Sequence, residues 1–229
     1  MIRTTRGIVF RASVVAVMIG TLFVVCQHTS AQESSSPDLP SQIPYRSPFG
    51  LTAAPDGQTV YVTDRSGGSL VVLDSAQGST LNEIALNGHP QGLVLSSNGE
   101  TLYVAEHGAG SVAVIDAKTH VVTSRIMVGK WPTAVALAEK SQRLYVGNQD
   151  RHSVSVVDLL QNPPQVIKEI PVSREPSCLS VAPNERSIVV TNLLASGRGT
   201  DSRLSSELSI IEADTLELTG EVKLPPGSS

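Results

Sequence analysis

One block recurs four times along this chain, and nothing else in the sequence restricts its fold as severely. Its anchor reads Tyr61-Val62-Thr63-Asp64, then Tyr103-Val104-Ala105-Glu106, then Tyr145-Val146-Gly147-Asn148, and finally Val189-Val190-Thr191-Asn192. The intervals are 42, 42 and 44 residues. Self-similarity at a period of this size marks an array of supersecondary units, each unable to bury its apolar surface alone.

The second copy shows what one unit contains. Leu93-Val94-Leu95 is a short strand, and Ser96-Ser97-Asn98-Gly99 is a turn whose Asn-Gly pair supplies the positive φ of a tight hairpin. Thr101–Ala105, Ser111–Asp116 and Val121–Met127 read as three further strands, separated by Gly108-Ala109-Gly110 and Lys118-Thr119-His120. The middle strands are apolar almost throughout, as in Leu70-Val71-Val72-Leu73, so they are expected to be buried on both faces. The density of valine and the spacing of Gly, Asn-Gly and Pro exclude helix. Four-stranded antiparallel meanders packed face to face around an axis form a β-propeller, and an all-β propeller is the predicted fold class.

The copies align position by position. Pro48, Pro90, Pro132 and Pro176 open the innermost strands, and the third strands end in Asp74, Asp116, Asp158 and Glu212. Such an aspartate is expected to turn its carboxylate onto the following backbone amides. The blades are placed at about 48–88, 89–130, 131–175 and 176–224.

Residues 1–31 read as a secretory signal peptide. Arg3, Arg6 and Arg11 precede the apolar run Ala12–Val25, and Thr29-Ser30-Ala31 offers small residues for cleavage. The run is shorter than the roughly twenty residues a spanning helix needs, so no membrane span is expected in the mature chain. A lipid anchor on Cys26 is the alternative, set back by Val25 at a position that wants a small residue. Residues 32–47, rich in Ser and Pro, read as a flexible linker to the propeller segment 48–229. Loss of the leader removes three arginines and no acids, moving the formal charge from −4 to −7. Binding to nucleic acid or an anionic membrane rests on a basic surface, which this composition does not supply. Cys178 is then the remaining cysteine, expected as a small buried hydrophobe.

The Tyr61–Asp64 motif, the Pro55-Asp56-Gly57 turn and Ser111-Val112-Ala113-Val114-Ile115-Asp116 together resemble the YVTN repeat proteins, extracytoplasmic β-propellers of bacteria and archaea. The resemblance runs from Pro48 to about Leu224. It implies an exported protein of the periplasm, cell surface or exterior. Members commonly form rings of about seven blades, so four copies imply an incomplete arc. Three resolutions stand: a truncated coding sequence, a tight four-bladed ring, or two chains joined head to tail as a homodimer. A protein partner, or further blades or a domain beyond the C-terminus, is implied in the first case.

In a propeller the loops joining second to third strands share a face with those joining consecutive blades. That face is predicted to collect Arg65, His89, His107, Trp131 and His152, with Arg198 and Arg203 on the long insertion Leu193–Ser206. These seven are the candidate residues for binding a ligand or partner. The histidines lie on separate loops without a ligand-like spacing, so no metal is expected. Gly108-x-Gly110 precedes a strand rather than a helix, which removes a dinucleotide reading. No Gly-x-Ser-x-Gly elbow or Cys-x-x-Cys-His occurs. The chain is therefore expected to be a non-catalytic binding scaffold without a cofactor. The rival expectation is the propeller portion of a periplasmic redox protein, fused to or partnered with a haem domain of the cytochrome c peroxidase type.

Overall fold

The computed structural model describes residues 45–194 and 206–224. The expected signal peptide, most of the linker, Arg198 and Arg203 lie outside the described residues. Among the described residues sixteen strands form four antiparallel sheets, each in simple meander order. Blade 1 holds β1 (Pro48–Ala53), β2 (Thr59–Asp64), β3 (Ser69–Asp74) and β4 (Thr80–Ala85). Blade 2 holds β5 (Pro90–Leu95), β6 (Thr101–Glu106), β7 (Ser111–Asp116) and β8 (Val121–Met127). Blade 3 comprises β9 (Pro132–Ala138), β10 (Arg143–Asn148), β11 (Ser153–Asp158) and β12 (Gln165–Pro171), and blade 4 β13 (Pro176–Val181), β14 (Ser187–Asn192), β15 (Glu207–Glu212) and β16 (Glu217–Lys223). The predicted all-β propeller of four-stranded blades is what the chain forms.

Local chemistry sets these boundaries. Each innermost strand opens on its proline, which needs no partner for a missing N–H. The third residue of each β1–β2-type turn takes the left-handed conformation: Gly57 at φ 68°, Gly99 at 74°, Gln142 at 49° and Glu185 at 55°. The aspartates closing the third strands act as read. Asp74 Oδ1 accepts from the amides of Ala76 and Gln77 at 2.8 and 2.9 Å, and Asp116 Oδ1 from Lys118 and Thr119 at 3.0 and 2.7 Å.

The core lies between blades. Strand alternation gives each blade one side toward its predecessor and one toward its successor. Tyr61, Leu70 and Val72 of blade 1 pack against Leu102, Val104 and Ile115 of blade 2. Val112 and Ile126 then meet Val135, Leu144 and Val157 of blade 3, while Tyr145, Val154 and Val156 meet Ile188, Val190 and Ile211 of blade 4. Burying a side chain of this size contributes about 1.5–3 kcal/mol.

The same alternation corrects the expectation for Cys178, which is exposed. It occupies the repeat position of Gly50, Gly92 and Ala134, on the side turned toward a following blade. Leu179, one residue on, faces blade 3 and is buried against Gly147.

Polar clamps close the loop end of blades 1 to 3. Asp64 Oδ1 accepts from Ser47 N at 2.9 Å, Glu106 Oε1 from Asn87 N at 2.7 Å, and Asn148 Oδ1 from Gly129 N at 3.2 Å. In these three blades the last residue of the Tyr-Val motif thus holds the chain entering its own blade. Glu106 is fully buried and also accepts from Ser111 Oγ at 2.6 Å and Arg125 Nε at 3.0 Å.

Candidate functional site

Two repeat positions build the rim on this face. The residue after each second strand donates its N–H to the residue before the innermost strand of the same blade. Arg65 N meets Ser47 O at 2.9 Å, His107 N meets His89 O at 3.2 Å, Gln149 N meets Trp131 O at 3.0 Å, and Leu193 N meets Glu175 O at 3.1 Å. The side chains at these positions are therefore carried in register, blade after blade.

Seven of these loop residues surround a depression of about 370 Å³: Arg65, His107, Trp131, Gln149, Asp150, His152 and Glu175. Four of the candidates named from sequence are among them: Arg65, His107, Trp131 and His152. His89 stands beside them, with Nδ1 3.1 Å from Arg65 O, but does not line the depression. Arg198 and Arg203 lie outside the described residues. Gln149, Asp150 and Glu175 were missed, although the repeat positions of Gln149 and Glu175 carried the signal. Gln149 follows its strand as Arg65 and His107 do, and Glu175 precedes its proline as His89 and Trp131 do.

The imidazole of His107 stacks on the Trp131 indole, with centroids 5.8 Å apart and planes 11° from parallel. Half of Trp131 is still exposed, at 49%. Arg65 places its guanidinium carbon 5.9 Å from the Phe49 ring centroid. Glu175 donates its backbone N–H to Nδ1 of His152 at 3.3 Å, leaving Nε2 to carry the proton of the neutral ring. Trp131, His152 and Glu175 all hold positive φ, at 56°, 52° and 59°. A side chain in that region costs of order 1 kcal/mol or more, and the neighbouring hydrogen bonds hold it there.

Burial pushes the His107 pKa down, and the charge of Arg65 and the neighbouring His89 push the same way, against a hydrogen bond with Gln149 that raises it. His107 is thus a neutral imidazole near pH 7. Because the folded pKa is depressed, the unfolded chain takes up this proton first as pH falls. Stability from this group is therefore full above about 6.5 and declines below it, toward the lowered folded value. The prediction is direct to check, since Trp131 is the single tryptophan and imidazolium quenches an indole it touches. Emission should fall with acid at a midpoint below 6.5, and His107→Gln should abolish the transition.

Residues 80–181 match the family described as Lactonase, 7-bladed beta-propeller, over less than half of the chain. None of the curated proteins matches it. Hydrazine synthase of Kuenenia stuttgartiensis is similar in structure, with TM-score 0.68 and 21% identity over 85% of this chain and 52% of that one. A functionally unknown protein from Desulfotomaculum acetoxidans DSM 771 gives TM-score 0.61 and 12% identity, covering 79% of this chain and 58% of the other. U3-55K gives 0.61 and 14%, covering 78% and 52%. The chain spans somewhat over half the length of each of these structures.

The family match corrects the expectation of a non-catalytic chain, because the matched family is named for an enzymatic activity. The physical reason is that side chains from separate repeats can meet around one depression without leaving a contiguous motif. At the level these likenesses reach, the chain is a β-propeller protein.

Proposed function

We propose that this chain is an exported β-propeller of the YVTN kind that binds a small polar molecule in the loop-face depression. One observation carries the reading: side chains from five separate connections, belonging to all three of the first blades and the entry to the fourth, line one 370 Å³ hollow. Its size falls within the range of small-molecule sites, and it combines an aromatic platform with a few convergent polar groups. Export is supported by the leader-like residues 1–31, and mass analysis of the mature protein should find Gln32 at its N-terminus. The site is tested by thermal-shift screening of small acids, amino acids, sugars and lactones. Stabilisation by a hit should disappear in Trp131→Ala and persist in Arg186→Ala, on the opposite face. A shift indifferent to Trp131 would place the ligand elsewhere.

The Lactonase match favours a second reading, in which the bound molecule is a cyclic ester that the site opens. A neutral His107 can accept a proton from an attacking water, and Arg65 can stabilise the developing oxyanion. Proton release from a simple lactone should then be catalysed. Its rate should fall about 100-fold or more in His107→Gln. Unchanged hydrolysis in that variant would remove His107 from the chemistry.

A further inference from the structure

The charges around the depression are opposed and do not neutralise one another. Arg65 stands on the β2–β3 connection of blade 1. Asp150 stands on the β10–β11 connection of blade 3, and Glu175 on the connection into blade 4. Among the described residues none of the three has an ion-pair partner. Other charges of the chain do: Arg46 pairs with Glu83 at 2.9 Å, Arg125 with Glu106 at 3.0 Å and Arg151 with Glu169 at 3.6 Å. One cation and two carboxylates therefore line a single hollow, each beyond ion-pair distance of the other sign. The stacked Trp131–His107 pair also lines it, with Trp131 half-exposed.

We infer that the ligand of this depression is a zwitterion, a small amino acid with an apolar side chain; this rests on the reading of the depression as a ligand site. An anion alone would satisfy Arg65 and be repelled by Asp150 and Glu175. A cation alone would satisfy the carboxylates and meet Arg65 as a like charge. A molecule carrying both groups complements both signs, with its carboxylate on the Arg65 guanidinium and its ammonium toward Asp150 and Glu175. The body between them is apolar and faces the open part of the Trp131 indole. His107, neutral near pH 7, adds no competing charge to the lining.

The test uses three probes of one shape: phenylalanine, N-acetylphenylalanine, which lacks the ammonium, and phenylalaninamide, which lacks the carboxylate. Calorimetry with the whole chain, and Trp131 emission excited selectively over phenylalanine, should show phenylalanine binding about tenfold or more tightly than either blocked form. Arg65→Gln should bring phenylalanine level with its amide, and Asp150→Asn with Glu175→Gln should bring it level with the N-acetyl form. Equal affinity for all three probes, or a preference for a blocked form, would overturn the zwitterion while leaving a ligand site at Trp131. If none of the three perturbs Trp131 at millimolar concentration, the zwitterion falls, and the thermal-shift screen with its Trp131→Ala control decides the broader reading separately.

Discussion

Replacing Glu106 by alanine should lower the unfolding free energy by about 3–5 kcal/mol, the range for breaking a buried ion pair from one side. Glu106 has no exposed surface and accepts from three donors: Asn87 N at 2.7 Å, Ser111 Oγ at 2.6 Å and Arg125 Nε at 3.0 Å. Truncation leaves the hydroxyl of buried Ser111 unsatisfied, the Asn87 amide without this acceptor and a guanidinium without its counter-charge. Arg125→Ala should cost only about 1–2 kcal/mol, because the arginine side chain is 35% exposed and Glu106 keeps its other two donors. The comparison separates two accounts of the clamp. If the ion pair dominates, the two variants fall together. If the carboxylate chiefly holds the chain entering the blade, Glu106→Ala is the worse by several-fold in free energy. Urea titration of both variants, with the melting temperature of Glu106→Ala lower by roughly 10 °C, is the measurement.

Gly92→Val should be at least as damaging, through shape rather than charge. A Cβ at Gly92 would lie 2.6 Å from Thr133 O and 2.8 Å from Ala134 Cα, both backbone atoms of the next blade's innermost strand. Neither can swing aside as a flexible side chain could. The two strands must separate, which opens the cluster of Val112, Val135 and Leu144 between blades 2 and 3. Overpacking of this kind costs typically 1–3 kcal/mol and more when backbone must move, so a loss of about 3 kcal/mol or greater is expected. Gly57→Ala supplies the contrast, since its Cβ would meet nothing within 4 Å while its φ is 68°. That change should cost only about 1 kcal/mol, the strain of a left-handed alanine. If Gly92→Val were no worse than Gly57→Ala, close approach between innermost strands would not be what requires glycine. Chemical denaturation of both variants decides it.

Much of the fold was legible because each repeat repeats its punctuation. The strand ends at Asp74, Asp116, Asp158 and Glu212 and the openings at Pro48, Pro90, Pro132 and Pro176 fall where turn chemistry placed them. These are local effects, decided within a few residues by proline, glycine and carboxylates that bond their own backbone. The continuous apolar runs likewise announced burial on both faces. The side of a blade each residue serves was harder to read. Cys178 and Leu179 are neighbours of similar apolar character, yet one is exposed and the other buried. The difference lies in which side has a blade packed on it.

The candidate site divides the same way. That Arg65, His107, Trp131 and His152 share a face followed from counting strands and loops, since antiparallel meanders return every second connection to the same end. Gln149 and Asp150 share the loop of His152, Glu175 stands on the connection into blade 4, and none of the three carried a chemical flag as a single letter. The forty-two-residue period by itself determined the blades, their order and the face on which the variable side chains stand, because those depend on local turns and on alternation along a strand. Only the tertiary structure decided which of those side chains meet. The spacing between loops comes from how closely the innermost strands pack, as at Gly50 and Gly92, and that distance is set by contacts between blades rather than within one. It brings His107 onto Trp131 and leaves Arg65 facing the carboxylates of blade 3 and its exit without reaching them.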